Sequence, residues 1–491
     1  MRINFNECLQ KTREIGFVDK AVSSLAYLQG LPGVTPEEVV VFESGELGHV
    51  TALTESRAEV LSFSRNQIKV GTRAVRADRV LEIPVGEELL GATIDSLGRS
   101  LNPQKPLPPL TEMRSVETLP LDVRFRSRIK KPCETGVSLV DLLIPLGKGQ
   151  RELVIGDQKT GKSRFLLRSL LTQVRQGSVG IYAVIGKSQI AVKQLEESLQ
   201  QMGIFKNVVL VVSTSNDSAG MIYLTPYTAM TIAEYFRDAG RDTFVVFDDM
   251  SVHAKIYREI SLLGMRYPGR NSYPGDIFYI HSRLLERAGN FLGSGGNETA
   301  ITCLPVVETV HGDLTGYIQT NIMSMTDGHI FFDHNLFTEG RRPAIDPFLS
   351  VTRVGLQTQS SLRLEMGRAL MSFLRNAERI HKFTSFGTEL GEHVKKVLDK
   401  EERVSEFLDQ TAYDSIPSSI QALLFGLVWN DELWEKKTRN DIRIAIQKII
   451  FKCETQEYAR KRVEEAILQC SSLDSLIIKA NTLDILGENA G

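Results

Sequence analysis

The stretch that decides the fold is Arg151–Ser163, RELVIGDQKTGKS. Its last eight residues, Gly156, Asp157, Gln158, Lys159, Thr160, Gly161, Lys162 and Ser163, have the spacing GxxxxGK followed by Ser or Thr. The apolar run before them predicts a strand over 152–155, and SRFLLRSLLTQV after them predicts a helix over 162–175. In a strand–loop–helix of this kind the glycines let backbone N–H groups converge on phosphate oxygens. The helix adds its N-terminal donors and the positive end of its dipole. Lys162 is expected to reach the β/γ-phosphates of a bound ATP or ADP, and the Ser163 hydroxyl to ligate Mg²⁺.

Working outward, Phe244–Asp249 (FVVFDD) is an apolar strand ending in two carboxylates. At the carboxyl end of a parallel strand a carboxylate can enter the Mg²⁺ shell. One of Asp248 and Asp249 is expected to do so and the other to serve local structure; spacing does not say which. Hydrolysis also needs a group to orient or deprotonate the attacking water. Its natural place is the tip of the strand beside the phosphate loop, where the chain reads IYAVIGKS (181–188), and no Asp or Glu occurs from 164 to 195. A protonated Lys187 holds charge but is no base, so the site reads as one that binds nucleotide without cleaving it quickly.

Further strands are expected over 179–185, 208–213, 243–247 and 301–307, with a helix over 189–202. Alternating strands and helices imply a mostly parallel sheet with right-handed crossovers. Residues 17–88 carry short β-rich runs (EEVVVFESG, HVTALT, RAEVLSF, DRVLEIPVG) separated by turn residues, the texture of a small antiparallel barrel or sandwich. Residues 89–130, with five prolines between 103 and 120, read as a linker wrapping onto the next domain. After 366 the only proline is Pro417, and patterns such as LRLEMGRALMSFLRNAERIHKF predict a helical domain.

Composition bounds the function. The 491 residues fit about three domains. Lys+Arg of 58 against Asp+Glu of 60 leaves a net charge of -2, without the basic surplus of a chain that coats nucleic acid. Five scattered cysteines without a CxxC, and eight histidines without HExxH, suggest neither a disulfide framework nor a zinc site. The polar start MRINFNECLQKTREIGF is neither a signal nor a transit peptide, and no stretch reaches the roughly 20 apolar residues of a spanning helix.

With these motifs in hand, the chain resembles the alpha subunit of F-type rotary ATP synthase. The resemblance is carried by GQRELVIGDQKTGKS, YPGDIFYIHSRLLERAG (273–289), LPVVET (304–309), TDGHIFFDHNLF (326–337) and GRRPAIDPFLSVTRVG (340–355), and spans nearly the whole chain. It implies an α/β, RecA-like phosphate-loop core with an N-terminal antiparallel β-barrel and a C-terminal helical bundle. The corresponding segments are an arm (1–16), a barrel crown (17–88), a nucleotide-binding domain (89–365) and a helical domain (366–491). It further implies an alternating hexamer with a beta subunit around a gamma shaft, a delta or peripheral-stalk contact through the arm, and membrane attachment only through the membrane sector, on the cytoplasmic face if bacterial.

The same resemblance assigns residue roles. Arg353 matches the arginine that alpha inserts into the neighbouring beta site, and Ser324 a residue lining that shared interface. Phe337, Arg342, Pro343 and Gln410 match positions around alpha's own adenine pocket, and Asp249 matches the metal-shell carboxylate. Lys187 stands where alpha usually has Gln and beta Glu, and Ala412 where a second pocket Gln is usual. The short arm, SSLAYLQGL in place of a GDGIARV-like turn, and the shortened Lys162–Gly186 segment suggest a divergent alpha of an atypical or sodium-type synthase. The competing readings are a homohexameric secretion-type or RNA-translocating ATPase, which needs its own Glu at the strand tip, and a structural protein with a vestigial nucleotide.

Overall fold

A computed structural model describes residues 4–104, 106–110, 112–293, 296–384, 392–410, 415–434 and 437–483. The chain forms two compact units, one comprising Met1–Arg128, Gly177–Thr309 and Asp313–Thr326, the other Ile129–Gln176, Val310–Gly312 and Asp327–Gly491.

In the first unit, β1 (Gly16–Val22), β2 (Leu25–Gln29), β3 (Glu38–Phe42), β4 (Leu47–Leu53), β5 (Ala58–Ser62) and β6 (Arg73–Val80) close into a barrel in the order β1-β2-β5-β4-β3-β6. Neighbours are antiparallel throughout, and Val18, Leu28, Val40, Phe42, Val60 and Ala74 fill the interior. Closure leaves no unpaired edge. The expected DRVLEIPVG run resolves into two pieces. β6 ends at Val80, while Glu82–Val85 leaves the barrel and pairs with Glu112–Ser115. Pro84, which has no N–H to donate, is tolerated in such a two-stranded ribbon.

The same unit holds a parallel sheet in the order Glu298–Glu308, Thr243–Asp248, Val179–Lys187, Val208–Thr214, Thr93–Ile94, with Gly289–Leu292 antiparallel to Glu298–Glu308. The segment expected to be a linker therefore supplies an edge strand. Val179–Ile185, Val208–Thr214 and Thr243–Asp248 are buried throughout, as befits strands covered by helices such as Gln189–Gln201, Ala219–Asp238 and Met250–Leu263. Leu25 and Leu61 of the barrel pack on Ala219 and Ile260. Arg65–Asp217 (2.6 Å) and Arg266–Glu59 (3.2 Å) flank that contact.

In the second unit, Leu153–Gly156 pairs in parallel with Gly328–Phe332, which takes Val351–Thr352 antiparallel. The helix Lys162–Arg175 follows the loop. The helical part comprises Ser361–Thr384, Glu392–Leu408, Ser418–Trp429, Arg439–Thr455, Glu457–Leu468 and Leu473–Thr482 among the described residues. Ser418–Trp429 is apolar all round and forms the centre, with Ile420, Leu423, Leu424, Phe425 and Val428 buried. Buried Asp141 ties the helical part to the phosphate-loop part by accepting from Thr135 N, Gly136 N and Gln421 Nε2.

Candidate nucleotide site

The phosphate loop lies in the second unit. At Gly156 a Cβ would stand 2.4 Å from the Phe332 carbonyl oxygen, so a larger residue could not leave the strand there. Left-handed φ at Lys159 (61°) and Gly161 (99°) turns the backbone in the manner of an anion nest. Thr160 Oγ1 donates to Asp157 O (2.7 Å) and Asp157 Oδ1 accepts from Gly312 N (2.9 Å), pinning the loop from both sides. Lys162 is buried, and its ammonium donates to the Gly156 and Asp157 carbonyls (2.7 and 2.5 Å). Gln158 and Ser163 are exposed, Ser163 in the first turn of its helix.

The residues assigned to the adenine side lie in the same unit. The Arg342 guanidinium sits 3.6 Å from the Phe337 ring centroid and donates to Phe337 O (2.8 Å). Gln410 is fully buried, and its N–H donates to Arg342 O (2.9 Å). Its amide accepts from Ser138 N (2.7 Å) and donates to Gly136 O (2.9 Å), and Arg168 donates to its carbonyl. Gln410 thus acts as a tie that fixes the Arg342–Pro343 turn. Ala412 lies outside the described residues.

Arg353, also of this unit, is exposed just past Val351–Thr352, and its N–H donates to Asp327 O (3.0 Å). Below it Glu152 is completely buried, receives Gln150 Nε2 (2.7 Å) and keeps Oε1 without a hydrogen-bond partner. Burial pushes the Glu152 carboxyl well up, Asp327 adds to the rise, and Arg353 opposes it.

In the first unit Lys187 ends its strand with Nζ 2.8 Å from Asp248 Oδ1, while Tyr182 OH donates to Asp248 Oδ2 (2.9 Å). Burial pulls the Lys187 ammonium down, but Asp248, with Asp249 and Glu308, outweighs it and raises the group above its ordinary value. Lys187 is therefore a firmly protonated cation. Asp249 caps the helix Met250–Leu263 by accepting from Ser251 N. Burial, then Glu308 and Asp248, push its carboxyl up to about 6. Ser324 is exposed on the helix Tyr317–Met325 and donates to Asn321 O (2.6 Å).

The sequence signature of the "ATP synthase alpha/beta family, nucleotide-binding domain" matches residues 136–352. The chain is 38% identical over 412 residues to ATP synthase subunit alpha of Helicobacter pylori (strain HPAG1), covering 84% of this chain and 82% of the relative. Against the same subunit of Clostridium botulinum (strain Eklund 17B / Type B) it is 36% identical over 461 residues, covering 93% and 91%. The chain belongs to the ATP synthase alpha/beta family, among the alpha subunits. Membership makes it part of an ATP synthase, a complex in which alpha works with beta, gamma and stalk subunits.

Nucleotide and Mg²⁺ use come with this family, and the residues fit both. The Gly156 cradle, the nest-like backbone and the Lys162 ammonium suit a polyphosphate. Ser163, beside the loop in the same unit, offers a hard oxygen donor, the kind Mg²⁺ takes alongside substrate phosphates. When bound, the ion would neutralise phosphate charge. Among the described residues no group of three or more His, Cys, Asp or Glu is placed to hold a metal. No helix among the described residues is long and apolar enough to cross a membrane.

The sequence reading missed Tyr182 and Glu152. Both had a signal: a lone hydroxyl in the apolar strand GIYAVI, and a lone carboxylate heading ELVI.

Proposed function

We propose that this chain is the non-catalytic, nucleotide-binding regulatory alpha subunit of a rotary synthase head. In this role it holds a nucleotide on Gly156–Ser163 and lends Arg353 to the neighbouring beta site, supporting ATP synthesis or hydrolysis coupled to transmembrane ion transport. The observation that carries the reading is the Lys187–Asp248 ion pair of 2.8 Å. A water-activating base is expected at that strand tip, and a cation stands there, held protonated by its carboxylate partner. The homohexameric alternative needs a carboxylate at the same place.

The exposure of Arg353 at the end of an ordered strand supports its role as a finger in trans. A planar guanidinium bridges phosphoryl oxygens as charge shifts, and such fingers contribute about 10³–10⁵ in rate. Ser324 is assigned to the shared interface, Phe337, Arg342, Pro343 and Gln410 to the adenine side, and Ser163 with Asp249 to Mg²⁺. The segments 1–16, 17–88, 89–365 and 366–491 are read as stalk-binding arm, crown, nucleotide domain and helical domain. The chain works peripherally, at the cytoplasmic face in a bacterium.

The test compares ATP turnover by the purified chain, by the chain with a beta partner, and by the same complex carrying Arg353→Ala. Near-zero turnover alone, robust turnover together and a loss of at least about 10³-fold in the variant, with the hexamer intact, are expected. Strong turnover by the isolated chain would sink the reading.

A further inference from the structure

A groove of the second unit, of about 1180 Å³, runs along the helix Ser361–Thr384. Its lining holds Arg363, Arg368, Arg375 and Arg379 and not one Asp, Glu, Lys or His. Phe373 and Trp429, in edge contact at 5.7 Å, also line it. Four like charges are collected on a chain whose overall charge is -2.

Helical spacing explains how they converge. Leu364, Arg368, Met371, Arg375 and Arg379 stand at i, i+4, i+7, i+11 and i+15, one face of the helix. The opposite face, through Leu362, Met366, Leu370 and Ala377, is buried in the chain's own core. At 1.5 Å per residue the stripe is about 22 Å long. Arg375 and Arg379, four apart, repel and weaken the helix. Arg368, Arg375 and Arg379 are exposed and make no hydrogen bond or ion pair among the described residues, whereas Arg363 is anchored to Ser418 O (2.6 Å) and Gln421 Oε1 (3.2 Å). Because no carboxylate lines the groove beside these arginines, the charge there points to compensation from outside.

We infer that this groove receives an acidic segment of the neighbouring subunit in the assembled head. Charge complementarity sets its sign. The interleaved Leu364, Met371 and Phe373 favour a protein segment with apolar residues between its carboxylates over a bare polyanion. Continuity sets its place, because the groove begins at Leu356, three residues beyond Arg353. The inference rests on the reading of Arg353 as facing a partner subunit.

The experiment measures the affinity of the full chain for purified beta subunit across a salt series, using wild type, the triple variant Arg368→Ala, Arg375→Ala, Arg379→Ala, and the matching triple Lys variant. Affinity of the wild type should fall with salt. The Ala variant should bind about tenfold more weakly at low salt with a flattened salt slope, while keeping ATP binding and a melting temperature no lower than wild type. The Lys variant should keep most of the affinity and the slope. Equal affinity and slope in wild type and the Ala variant would overturn the inference and leave the assembly reading standing. Equal losses in the Lys and Ala variants would also overturn it, since charge would not be the cause. Wild-type chain that binds ATP but never beta would overturn both. Tripolyphosphate and a single-stranded RNA oligonucleotide serve as probes, and tight arginine-dependent binding of either would assign the groove to that ligand and refute the protein segment.

Discussion

Replacing Asp249 by Asn should stabilise the chain, and the gain should depend on pH. The carboxyl is held at about 6 against an ordinary 3.8, chiefly by burial and then by Glu308 and Asp248. At about 1.4 kcal/mol per tenfold, keeping it ionised in the fold at pH 8 costs about 3 kcal/mol. For a carboxyl raised on folding, the stabilising contribution is complete below 3.8 and is lost as pH rises through about 6. Asn caps a helix as well as Asp, so the bond from Ser251 N survives. The amide must find its own partner, which reduces the net gain to about 2 kcal/mol. That corresponds to about 4–8 °C in the transition containing the first unit. Scanning calorimetry in EDTA without nucleotide, at pH 8 and pH 5, reads it, and the gain should fall by roughly two-thirds at pH 5. A destabilised variant at pH 8, or a gain of the same size at both pH values, would refute the reasoning. The outcome matters for function because an ionised carboxylate kept at such a cost is expected where a cation is bound.

Lys162→Ala removes an ammonium that the loop holds at two carbonyls, and nucleotide affinity measured by calorimetric titration should fall by at least about 100-fold while the chain stays folded. Unchanged beta-supported turnover in that variant would favour a vestigial nucleotide. Gly355→Ala would put a Cβ 1.6 Å from Pro145 O, so the segment carrying Arg353 must move. Turnover of the complex with beta should drop by about 10–100-fold, and wild-type turnover would contradict the close approach. Glu406, buried between Arg439 and Arg443, is held below its ordinary value because their hydrogen bonds outweigh burial. Its contribution is therefore present above the unfolded carboxyl value and lost as pH falls. Glu406→Gln should cost about 1 kcal/mol at pH 7, since both arginines are half exposed, and almost nothing in acid, as read by thermal melts.

Much of the core was legible because its signals are local. The expected strands 179–185, 208–213, 243–247 and 301–307 lie within Val179–Lys187, Val208–Thr214, Thr243–Asp248 and Glu298–Glu308. The expected helix 162–175 is Lys162–Arg175. Buried parallel strands are long apolar runs, and a phosphate loop is a short-range arrangement of glycines whose conformation hardly depends on the rest of the chain. Legibility failed where pairing is long-range. β1 (GFVDKAV) carries a mixed polar pattern and β2 (LAYLQ) is only five residues long, and barrel closure with β5 and β6 makes them strands. Thr93–Ile94 is too short to announce itself and is a strand only because Leu210 and Val211 offer it an edge.

By itself the sequence determined the phosphate loop, the order of strands and helices, the family, and the lack of an acid between 164 and 195. The tertiary structure decided what stands in place of that acid. Parallel register sets Val184 beside Asp248, and Lys187, three residues on, reaches back to pair with it across 61 positions of sequence. The tertiary structure also turned Gln410 inward, spending its amide on Ser138 and Gly136, and gathered arginines four and seven residues apart onto one face above Trp429. The physical reason is range. Backbone preferences and apolar periodicity act over a few residues and can be read along the chain. The partner of a buried charge is chosen by which strands and helices come together, because an ionised group in the interior must be neutralised by whatever the fold brings within reach.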